Sequence, residues 1–474
     1  MWTSAEIAKT VNGKAQGAAF EASGVTIDSR KLPPGALFVA FKGERVDGHD
    51  YVKQALAAGA AGALVEHVPQ GLGSAPLVVA NDVQEALAQL GRASRARTHA
   101  KIIAVTGSVG KTGTKEAIRV ALAGVGKVYA THGNLNNHIG LPLSLANLPQ
   151  DARFGVFELG MNHAGELSML TAMARPDIAV ITNVEAVHLE FFANVEGIAD
   201  AKAEIMEGLG ADGTVILNRD NAFFERLAVK ARARGLRIVT FGEREGADCR
   251  LTDYRLQDMG AQIEAVIHGT PIAYRLGAIG RHWALTSLAA LAAALAAGAD
   301  LADAAAALAH FHEPDGRGKL MRLVLPNGDA TLIDDCYNAS PSSTSAAIAK
   351  LAELSAALGG KGRTIAVLGD MLELGTASEN LHRSLLAPLS QHHIDKVYLA
   401  GSLMQNLYET LPPAMRAGHA ESAKALASQV TQGVRPGDIV LVKGSRGSRM
   451  DIVRDALLAA FPNPAHPKEP LHAV

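Results

Sequence analysis

The segment KIIAVTGSVGKTGTKEA, residues 101–117, constrains the fold of this chain more than any other stretch. A short apolar run over 102–105 predicts a buried parallel strand, and helical spacing resumes directly after the glycines. The loop between them consists of Thr106, Gly107, Ser108, Val109, Gly110, Lys111 and Thr112. Glycines let consecutive backbone N–H groups point at phosphate oxygens, and the positive end of the following helix adds to the attraction. We therefore predict a nucleoside triphosphate site, in which Lys111 reaches the β- and γ-phosphates and Thr112 binds Mg²⁺.

The loop departs from the usual phosphate-loop pattern, G-x-x-x-x-G-K-[ST]. Val105 stands where the first glycine would be, and only T-G-x-x-G-K-T remains. An ordinary strand–turn–helix with a surface lysine is the alternative interpretation. The preceding strand and the pair of glycines favour the phosphate loop.

Composition indicates a globular chain of several domains. At 474 residues, a typical ~100–200 residues per domain predicts about three domains. The formal net charge of −2 provides no strong electrostatic attraction to the negatively charged backbone of a nucleic acid. We therefore expect no nucleic-acid partner. The longest uncharged run, 283–299, is mostly alanine and too weakly hydrophobic to span a membrane, so we expect no membrane insertion.

The cysteines and the N-terminus indicate the compartment. Cys249 and Cys336 are the two cysteines of the chain, and they resemble neither a disulfide framework nor a metal-binding spacing. The first residues, MWTSAEIAKTVNG, lack the basic region and apolar core of a signal peptide. We therefore expect a cytoplasmic protein.

Alternation of strand and helix patterns predicts an α/β chain of three domains. Residues 1–98 form the first, residues 99–314 the second and residues 315–474 the third. The second is predicted to be a doubly wound domain with a mostly parallel sheet around the phosphate loop. A turn-rich linker, HEPDGRGK, separates it from the smaller third domain.

Particular elements are predicted within these domains. The first has a helix over 52–63. Further antiparallel strands over 236–280 and an alanine-rich helical stretch over 283–311 complete the central domain. The predicted strands are 63–66 and 77–79 in the first domain, 102–106, 128–130, 154–158, 178–182 and 215–217 in the second, and the segments TLIDDCY, TIAVLGD, KVYLAG and DIVLVKG in the third.

Polar residues follow several of these strands, where open α/β sheets bind their ligands. Glu158, at the end of FGVFELG, is placed to hold Mg²⁺ opposite Thr112, although a solvated glutamate is the common alternative. His188 follows the next strand and could be a second metal ligand, whereas most single histidines are structural or exposed. Lys202 lies on a helix, and its local pattern predicts a side chain that faces solvent.

The remaining candidates leave two interpretations open. Asn137 lies in GNLNNHIGLPLSL, where an amide suits either a helix cap or contact with a ligand. Asp335 ends the strand TLIDD, where it suits a ribose hydroxyl, a substrate ammonium or merely a turn. Arg317 in the linker and Lys443 and Arg446 in the last domain could reach a ligand across a cleft. Elements spread over two domains predict a site that closes when the domains approach.

Taken together, these segments resemble the Mur ligase family. The resemblance covers nearly the whole chain, and the shortened phosphate loop is the form that this family has. The segments in which the resemblance lies are DSRKLPPGALFVAFKGERVDGHDY (28–51), TGSVGKTGTKE (106–116), GNLNNHIGLPLSL (133–145), FELGMNHAGELSML (157–170), ARPDIAVITNVEAVHLEFF (174–192), AKAEI (201–205), DDCYNASPSS (334–343), LGDMLELG (368–375) and LVKGSRGSRMD (441–451).

The resemblance implies a cytoplasmic ligase of peptidoglycan precursor synthesis. It implies ATP-dependent ligation of D-alanyl-D-alanine to UDP-N-acetylmuramoyl-tripeptide through an acyl phosphate, with release of ADP and phosphate, by a protein we expect to be a monomer. The alternative is a sibling ligase that adds a single amino acid. GDMLELG and YNASPSS favour the dipeptide ligase, because the sibling carries a D-N-P-R motif instead. A folylpolyglutamate synthase and a nucleotide-dependent switch are more distant alternatives.

The resemblance also implies roles for individual residues. Lys111, Lys202, His188 and Asn137 would be catalytic, and Arg317 and Asp335 would join the phosphate loop in binding ATP. Thr112 and Glu158 would hold one Mg²⁺, and His188 and Lys202 a second, with Lys202 carbamylated because an ammonium beside Mg²⁺ would be misplaced. Candidates for the base that deprotonates the incoming amine are Asp335, Asp370 and His382. The UDP-sugar would contact Ser29, Arg30, Lys42, Gly43, Asp47 and His49.

Three positions depart from the family pattern. Val109 stands where a small or amide residue is frequent, and Gly113 where threonine is frequent. Neither removes Lys111 or Thr112, so we expect a working phosphate loop. Trp283 stands where an asparagine near the adenine is frequent, and it leaves the adenine contacts open.

Overall fold

The computed structural model describes residues 2–43, 46–187, 189–257 and 259–463, with separate sheets in the N-terminal, central and C-terminal parts. This arrangement confirms the predicted α/β fold class. The domain boundaries predicted after residues 98 and 314 stay predictions. Across the described ranges, no helix combines the length and the apolar character that a membrane span needs.

The N-terminal unit is a small mixed sheet with helices packed against it. Its elements are β1 (Trp2–Thr3), α1 (Ser4–Thr10), β2 (Lys14–Gln16), β3 (Glu21–Ala22), β4 (Val25–Thr26), β5 (Leu37–Val39), α2 (Val52–Ala57), β6 (Gly62–Val65), β7 (Leu77–Val79) and α3 (Val83–Arg97). The main sheet has the order β2-β7-β6-β5-β4, and β4 to β7 run parallel. Every residue of β5 and β6 is buried, as their continuous apolar sequences predict.

The helix predicted over 52–63 is wrong at its C-terminal end. Helix α2 stops at Ala57, and Gly59 takes a positive φ of 102° that turns the chain into the next strand. The predicted strand over 63–66 lies one residue earlier, and the strand over 77–79 is confirmed.

The central unit is organised around one large sheet. Its strands are β8 (Lys101–Thr106), β9 (Val128–Ala130), β10 (Phe154–Glu158), β11 (Ile178–Ile181), β12 (Thr214–Asn218), β13 (Arg237–Gly242), β14 (Cys249–Gln257), β15 (Gly260–Ile267) and β16 (Thr270–Leu276). Its helices are α4 (Lys111–Leu122), α5 (Gly140–Ala146), α6 (Glu166–Ala174), α7 (Val195–Ala203), α8 (Phe224–Ala233), α9 (Arg281–Ala296) and α10 (Leu301–Ala307). The sheet order is β16-β15-β14-β13-β12-β11-β8-β10-β9.

Helices cover both faces of this sheet, which confirms the doubly wound prediction. Ile103 and Val105 of β8 belong to the core under α4, α9 and α10, whereas Ile102 and Ala104 belong to the core under α5 to α8. The strands predicted over 236–280 do extend this sheet, but their predicted antiparallel direction is wrong for the first of them. Strand β13 pairs parallel to β12, because α8 is a crossover helix between them, and only β14, β15 and β16 pair antiparallel.

The alanine-rich helical stretch predicted over 283–311 consists of two helices, α9 and α10. Helix α9 ends before Gly298, whose φ is 91°, and α10 begins after Asp300. The Asp300 carboxylate accepts a hydrogen bond from the backbone N–H of Ala302 at 2.8 Å, which caps α10. Most alanines of α9 are buried.

The C-terminal unit has a parallel sheet with an antiparallel edge. Its strands are β17 (Lys319–Leu325), β18 (Gly328–Asp335), β19 (Thr364–Gly369), β20 (Lys396–Ala400), β21 (Arg416–Ala420) and β22 (Ile439–Lys443), in the order β17-β18-β22-β19-β20-β21. Its helices are α11 (Pro341–Ala357), α12 (Ser378–Arg383), α13 (Leu386–Gln391), α14 (Gln405–Tyr408), α15 (Ala423–Gly433) and α16 (Asp451–Ala460). The prediction missed the two edge strands, β17 and β21, and β17 begins inside the predicted linker.

A buried ion pair joins the central and C-terminal units. The Lys350 ammonium of α11 lies 2.7 Å from the Glu313 carboxylate, and their side chains are 2% and 9% exposed. Lys350 also donates to the backbone oxygen of Gly318 at 2.7 Å, and Glu313 accepts from the backbone N–H of Ile279 at 3.0 Å. The linker over 312–319 is therefore bonded both to the central unit, through Ile279, and to the C-terminal unit, through Lys350.

Asn147 joins the N-terminal and central units. Its side chain accepts a hydrogen bond from the backbone N–H of Val25 at 2.8 Å and donates to the Val25 oxygen at 2.9 Å. We expect Asn147→Ala to lower the free energy of unfolding by about 2 kcal/mol, because it leaves part-buried backbone groups without partners. Urea unfolding measures the change. The exposed Asn81 is the control, and its alanine variant should lose less than about 0.5 kcal/mol; equal losses would contradict the role of Asn147.

Candidate active site

The predicted phosphate loop is present between β8 and α4. Gly107 has a φ of 151°, and a β-carbon there would lie 1.9 Å from the Thr182 hydroxyl. Gly110, directly before the first residue of α4, has a φ of 85°. Both positions therefore require glycine. Residues 108–112 line a large cavity, and Thr106 is fully buried at the end of β8.

Lys111 lies across this loop. Its ammonium donates to the backbone oxygen of Gly107 at 2.7 Å, so the side chain folds back over the loop. Burial lowers the pKa of Lys111, and the nearby Glu158 carboxylate partly offsets that effect. The cation is thus held over the loop that precedes α4, which is where a phosphate-binding lysine lies.

Thr112 and Glu158 meet, as the sequence predicted. The Thr112 hydroxyl donates to one Glu158 carboxylate oxygen at 2.7 Å, and the Asn136 amide donates to the other at 2.7 Å. Glu158 is 2% exposed, and it ends β10 beside β8. Asn136 was not predicted to contact Glu158, although it lies in the asparagine-rich segment 133–145.

This donor set fits Mg²⁺. A hydroxyl and a carboxylate are hard oxygen ligands, and Mg²⁺ commonly takes one or two such protein groups together with phosphate oxygens and water. Within the described ranges, no cluster of three or more histidine, cysteine, aspartate or glutamate side chains converges on a metal position. His188, predicted to be catalytic and a metal ligand, lies outside the described residues.

Asn137 is a helix cap. Its side-chain oxygen accepts from the backbone N–H groups of Ile139 and Gly140, at 3.2 and 2.9 Å, at the start of α5. Asn137 also lines the cavity. The structure therefore shows Asn137 in its capping role, and contact of its side chain with a phosphate stays a prediction.

Lys202 is buried, so the local prediction that it faces solvent is wrong. Its side chain is 2% exposed, because α7 packs into the core through Ala201 and Ala203 on either side of it and through Ile198 one turn earlier. Burial and the charge of Lys111 hold the pKa of Lys202 well below its usual range. Among the described residues we find no carboxylate paired with its amine.

The cavity lies between the central and C-terminal units and measures about 630 Å³. The C-terminal unit contributes Arg317, Asp335, Lys443 and Arg446 to its wall. The Asp335 carboxylate lies 2.8 Å from the Lys443 ammonium; burial raises the pKa of Asp335, and Lys443 opposes that shift. The Arg317 guanidinium lies 4.2 Å from the centre of the Tyr337 ring.

The two walls also touch directly. The Ser342 hydroxyl at the start of α11 donates to the Glu185 carboxylate, which follows β11. The Glu185 backbone N–H in turn donates to the hydroxyl of Ser108 in the phosphate loop at 3.0 Å. The predicted approach of two domains over one site is therefore present.

Two of the three candidate bases have structural partners outside the cavity wall. Asp370 accepts from the backbone N–H of Met404 at 2.9 Å. His382 is fully buried; its Nε2 accepts from the backbone N–H of Met371 at 3.0 Å, and its Nδ1 lies 2.7 Å from the Ser378 oxygen. Asp335 is the candidate that lines the cavity.

The predicted UDP-sugar residues lie in the N-terminal unit and do not line this cavity. The Arg30 guanidinium lies 2.9 Å from the Asp28 carboxylate beside Ser29. His49 is 4% exposed, and its Nδ1 lies 2.7 Å from the Asp47 carboxylate, while its Nε2 accepts from the backbone N–H of Glu66 at 2.9 Å. Lys42, next to Gly43, pairs with Asp47 through an isolated backbone bridge. His49 therefore links the Asp47 carboxylate to the backbone of Glu66, directly after β6.

Comparison with known proteins gives consistent matches along the chain. The "Mur ligase family, catalytic domain" matches residues 21–105, the "Mur ligase middle domain" residues 105–294, and the "Mur ligase, glutamate ligase domain" residues 316–446. A Bacillus subtilis (strain 168) protein named UDP-N-acetylmuramoyl-tripeptide–D-alanyl-D-alanine ligase is 36% identical, over 95% of this chain and 97% of its own length.

Solved structures of related proteins have the same fold as this chain. The crystal structure of MurF from Acinetobacter baumannii has a TM-score of 0.82 and 30% identity, and the match covers 96% of this chain and 98% of that one. MurF ligase from Thermotoga maritima in complex with ADP has a TM-score of 0.75 and 28% identity, over 92% and 97% of the two chains. The chain therefore belongs to the Mur ligase family.

Proposed function

We propose that this protein ligates D-alanyl-D-alanine to UDP-N-acetylmuramoyl-tripeptide at the expense of ATP, in peptidoglycan precursor synthesis. The observation that carries the proposal is one cavity lined by Lys111, the Thr112–Glu158 pair and, from the opposite wall, Arg317 and Asp335. Such a cavity suits a nucleoside triphosphate held between two closing domains. The names and the near-complete coverage of the relatives support the same substrates.

The first step is activation of the tripeptide carboxylate. A carboxylate oxygen attacks the γ-phosphorus of ATP, the bond from that phosphorus to the bridging oxygen breaks, and an acyl phosphate and ADP result. Lys111 and the loop amides hold and orient the phosphates, which is where most of the catalysis of such a transfer arises. Mg²⁺ bound by Thr112 and Glu158 would neutralise phosphate charge.

The second step forms the peptide bond. The neutral amine of D-alanyl-D-alanine attacks the acyl carbon, and the tetrahedral intermediate expels phosphate. The contact between Ser342 and Glu185 joins the two walls beside the phosphate loop. Further approach of the two domains would exclude water, which otherwise would hydrolyse the acyl phosphate. Of the candidate bases for the incoming ammonium, Asp335 has the position to act.

Lys202 is proposed to carry a carbamate. Its neutral amine attacks CO₂, a nitrogen–carbon bond forms, and a proton leaves to solvent. The resulting anion would be an oxygen ligand for a second Mg²⁺, together with His188. Burial without a paired carboxylate supports this assignment, because an uncompensated ammonium there is costly.

The remaining assignments follow the same division of the chain. Residues 1–98 bind the UDP-sugar through the group around Ser29 and His49, residues 99–314 bind ATP, and residues 315–474 close over it and bind the dipeptide. A cytoplasmic location is proposed, since ATP and a UDP-linked precursor are its substrates. The monomeric state stays a prediction.

An acceptor series tests the function. Purified protein is given ATP, Mg²⁺ and UDP-N-acetylmuramoyl-tripeptide, and phosphate release is measured with D-alanyl-D-alanine, with single amino acids, or with folate plus glutamate. The proposal expects release and a pentapeptide product with the dipeptide alone. Release with a single amino acid indicates the sibling ligase, and release with folate the folylpolyglutamate synthase. Acceptor-independent hydrolysis indicates a nucleotide switch.

A further inference from the structure

Arg446 is a cation of the cavity wall to which the proposed reaction gives no role. Its side chain is exposed and lines the cavity, directly after β22 and two connecting residues. Within the ranges that the structure describes, no carboxylate pairs with its guanidinium. Two lysines of the same wall are already neutralised. Lys443 is buried against Asp335, and Lys350 is buried in its ion pair with the linker. Arg446 therefore presents an uncompensated positive charge to the cavity.

The backbone at Arg446 is fixed by its neighbour Ser445. The Ser445 backbone N–H donates to the Asp370 oxygen at 3.1 Å, and its hydroxyl accepts from the backbone N–H of Leu372 at 2.9 Å. The hydroxyl also donates to the Ala339 oxygen at 3.4 Å. These contacts join the loops after β18, β19 and β22, three neighbouring strands that run parallel. Arg446 therefore lies at the carboxyl edge of the sheet, where open α/β sheets bind their ligands.

The surface beside Arg446 is apolar. Leu372 is 40% exposed and lines the cavity, as does Ala339. Gly447 directly follows Arg446, and a β-carbon there would lie 2.7 Å from Cδ1 of Leu372. The exposed leucine is therefore packed against the loop that contains the arginine. An arginine beside a small apolar surface suits a ligand that combines a carboxylate with short aliphatic groups.

The proposed reaction includes one carboxylate for which no partner has been described. The tripeptide carboxylate is consumed, and the phosphates of ATP have the loop amides and Lys111. The carboxylate of D-alanyl-D-alanine persists, and it loses water when the domains close, so it needs a cationic partner. The Arg446 guanidinium lies 5.8 Å from the centre of the Tyr337 ring, and that of Arg317 lies 4.2 Å from the same ring. Arg446 is therefore close to the predicted nucleotide contacts, as a group that orients the acceptor requires.

We propose that Arg446 binds the carboxylate of D-alanyl-D-alanine through paired hydrogen bonds from its guanidinium. This proposal rests on the proposed ligation, and it makes Arg446 a determinant of acceptor specificity. An acceptor bound in this way must also place its amine at the acyl phosphate. A single amino acid has its carboxylate one residue, about 3.5 Å, nearer to its amine, so it cannot make both contacts.

The C-terminal amide of D-alanyl-D-alanine tests the contact, because it lacks the negative charge but keeps the amine and both methyl groups. Steady-state ligation is measured with the acid and with the amide, at saturating ATP and UDP-N-acetylmuramoyl-tripeptide. The parent protein should prefer the acid by about 10–100-fold in kcat/KM, which is typical of a hydrogen bond to a charged group. Arg446→Gln should lower kcat/KM for the acid by the same factor, and it should leave kcat/KM for the amide and KM for ATP nearly unchanged.

Arg449→Gln is the matched control. Arg449 belongs to the same loop but lies outside the cavity wall and pairs with Asp451 at 3.2 Å, so its variant should use both acceptors at the parental rates. Arg446→Lys keeps the charge without the paired donors, and it should recover part of the preference for the acid.

Three results overturn the proposal. They are an equal loss with acid and amide in folded Arg446→Gln protein, a rise in KM for ATP with an unchanged kcat/KM for the acid, and a parent protein that does not distinguish the two acceptors. The first would indicate a structural arginine, and the second a contact with the nucleotide. Failure of the parent protein to ligate either acceptor contradicts the proposed function, and this proposal with it.

Discussion

Replacing Lys111 with alanine is expected to reduce kcat/KM for ATP in the ligation reaction by about 10²–10³-fold. Its ammonium is held over the phosphate loop by the Gly107 oxygen, in a half-buried site where charge is weakly screened. Removing one preorganised donor from a site of developing charge typically costs about this much. Initial rates of phosphate release at varied ATP concentrations measure the effect.

A matched substitution isolates the cause. Lys101 begins the same strand, β8, but its side chain is exposed. Lys101→Ala should retain the rate of the parent protein, and circular dichroism should show that both variants are folded. Ligation by Lys111→Ala at the parental rate would contradict the assignment of the loop to ATP.

Replacing Lys202 with alanine should have the second largest effect, a loss of about 10²-fold or more in ligation rate. The alanine variant removes the anionic ligand that a carbamate would supply, and loss of a charge-stabilising group at a reacting phosphate is expected to cost this order. Acetate or formate should restore part of the activity, because a small carboxylate can enter the space that the lysine leaves.

Spectroscopy distinguishes the carbamate from a merely structural lysine. Protein equilibrated with ¹³C-bicarbonate should show a carbamate carbon signal that Lys202→Ala lacks. Lys230, an exposed lysine of α8 that pairs with Asp200, is the control, and its alanine variant should keep both signal and activity. Full ligation by Lys202→Ala without added carboxylate, or an unchanged signal, would contradict the carbamate.

The sequence predicted best what depends on neighbouring residues. The phosphate loop needs two glycines within a few residues of a buried strand, and both take the positive φ values that such a loop requires. Glu158 was predicted from its position at a strand end, because parallel strands bring their carboxyl ends to one edge. The structure then placed its carboxylate 2.7 Å from the Thr112 hydroxyl.

What the sequence did not predict depends on packing between distant segments. Lys202 is buried because α7 lies in a core formed by several other helices, which its own pattern does not reveal. Strand β21, with the sequence RAGHA, lacks an apolar alternation and forms at a sheet edge beside β20. A β-carbon on Gly113 would lie 2.3 Å from the Trp283 indole, but the two residues are far apart in the chain, so each appeared only as an isolated departure.

The central claim is that the γ-phosphate of ATP activates the tripeptide carboxylate in the cavity between the two domains. Transfer of oxygen tests it most directly. UDP-N-acetylmuramoyl-tripeptide labelled with ¹⁸O in its terminal carboxylate is ligated to D-alanyl-D-alanine, and the released phosphate is analysed by mass spectrometry. Activation through an acyl phosphate predicts one labelled oxygen in each phosphate released and ADP as the other product. Unlabelled phosphate during ligation, or label in AMP, would contradict it.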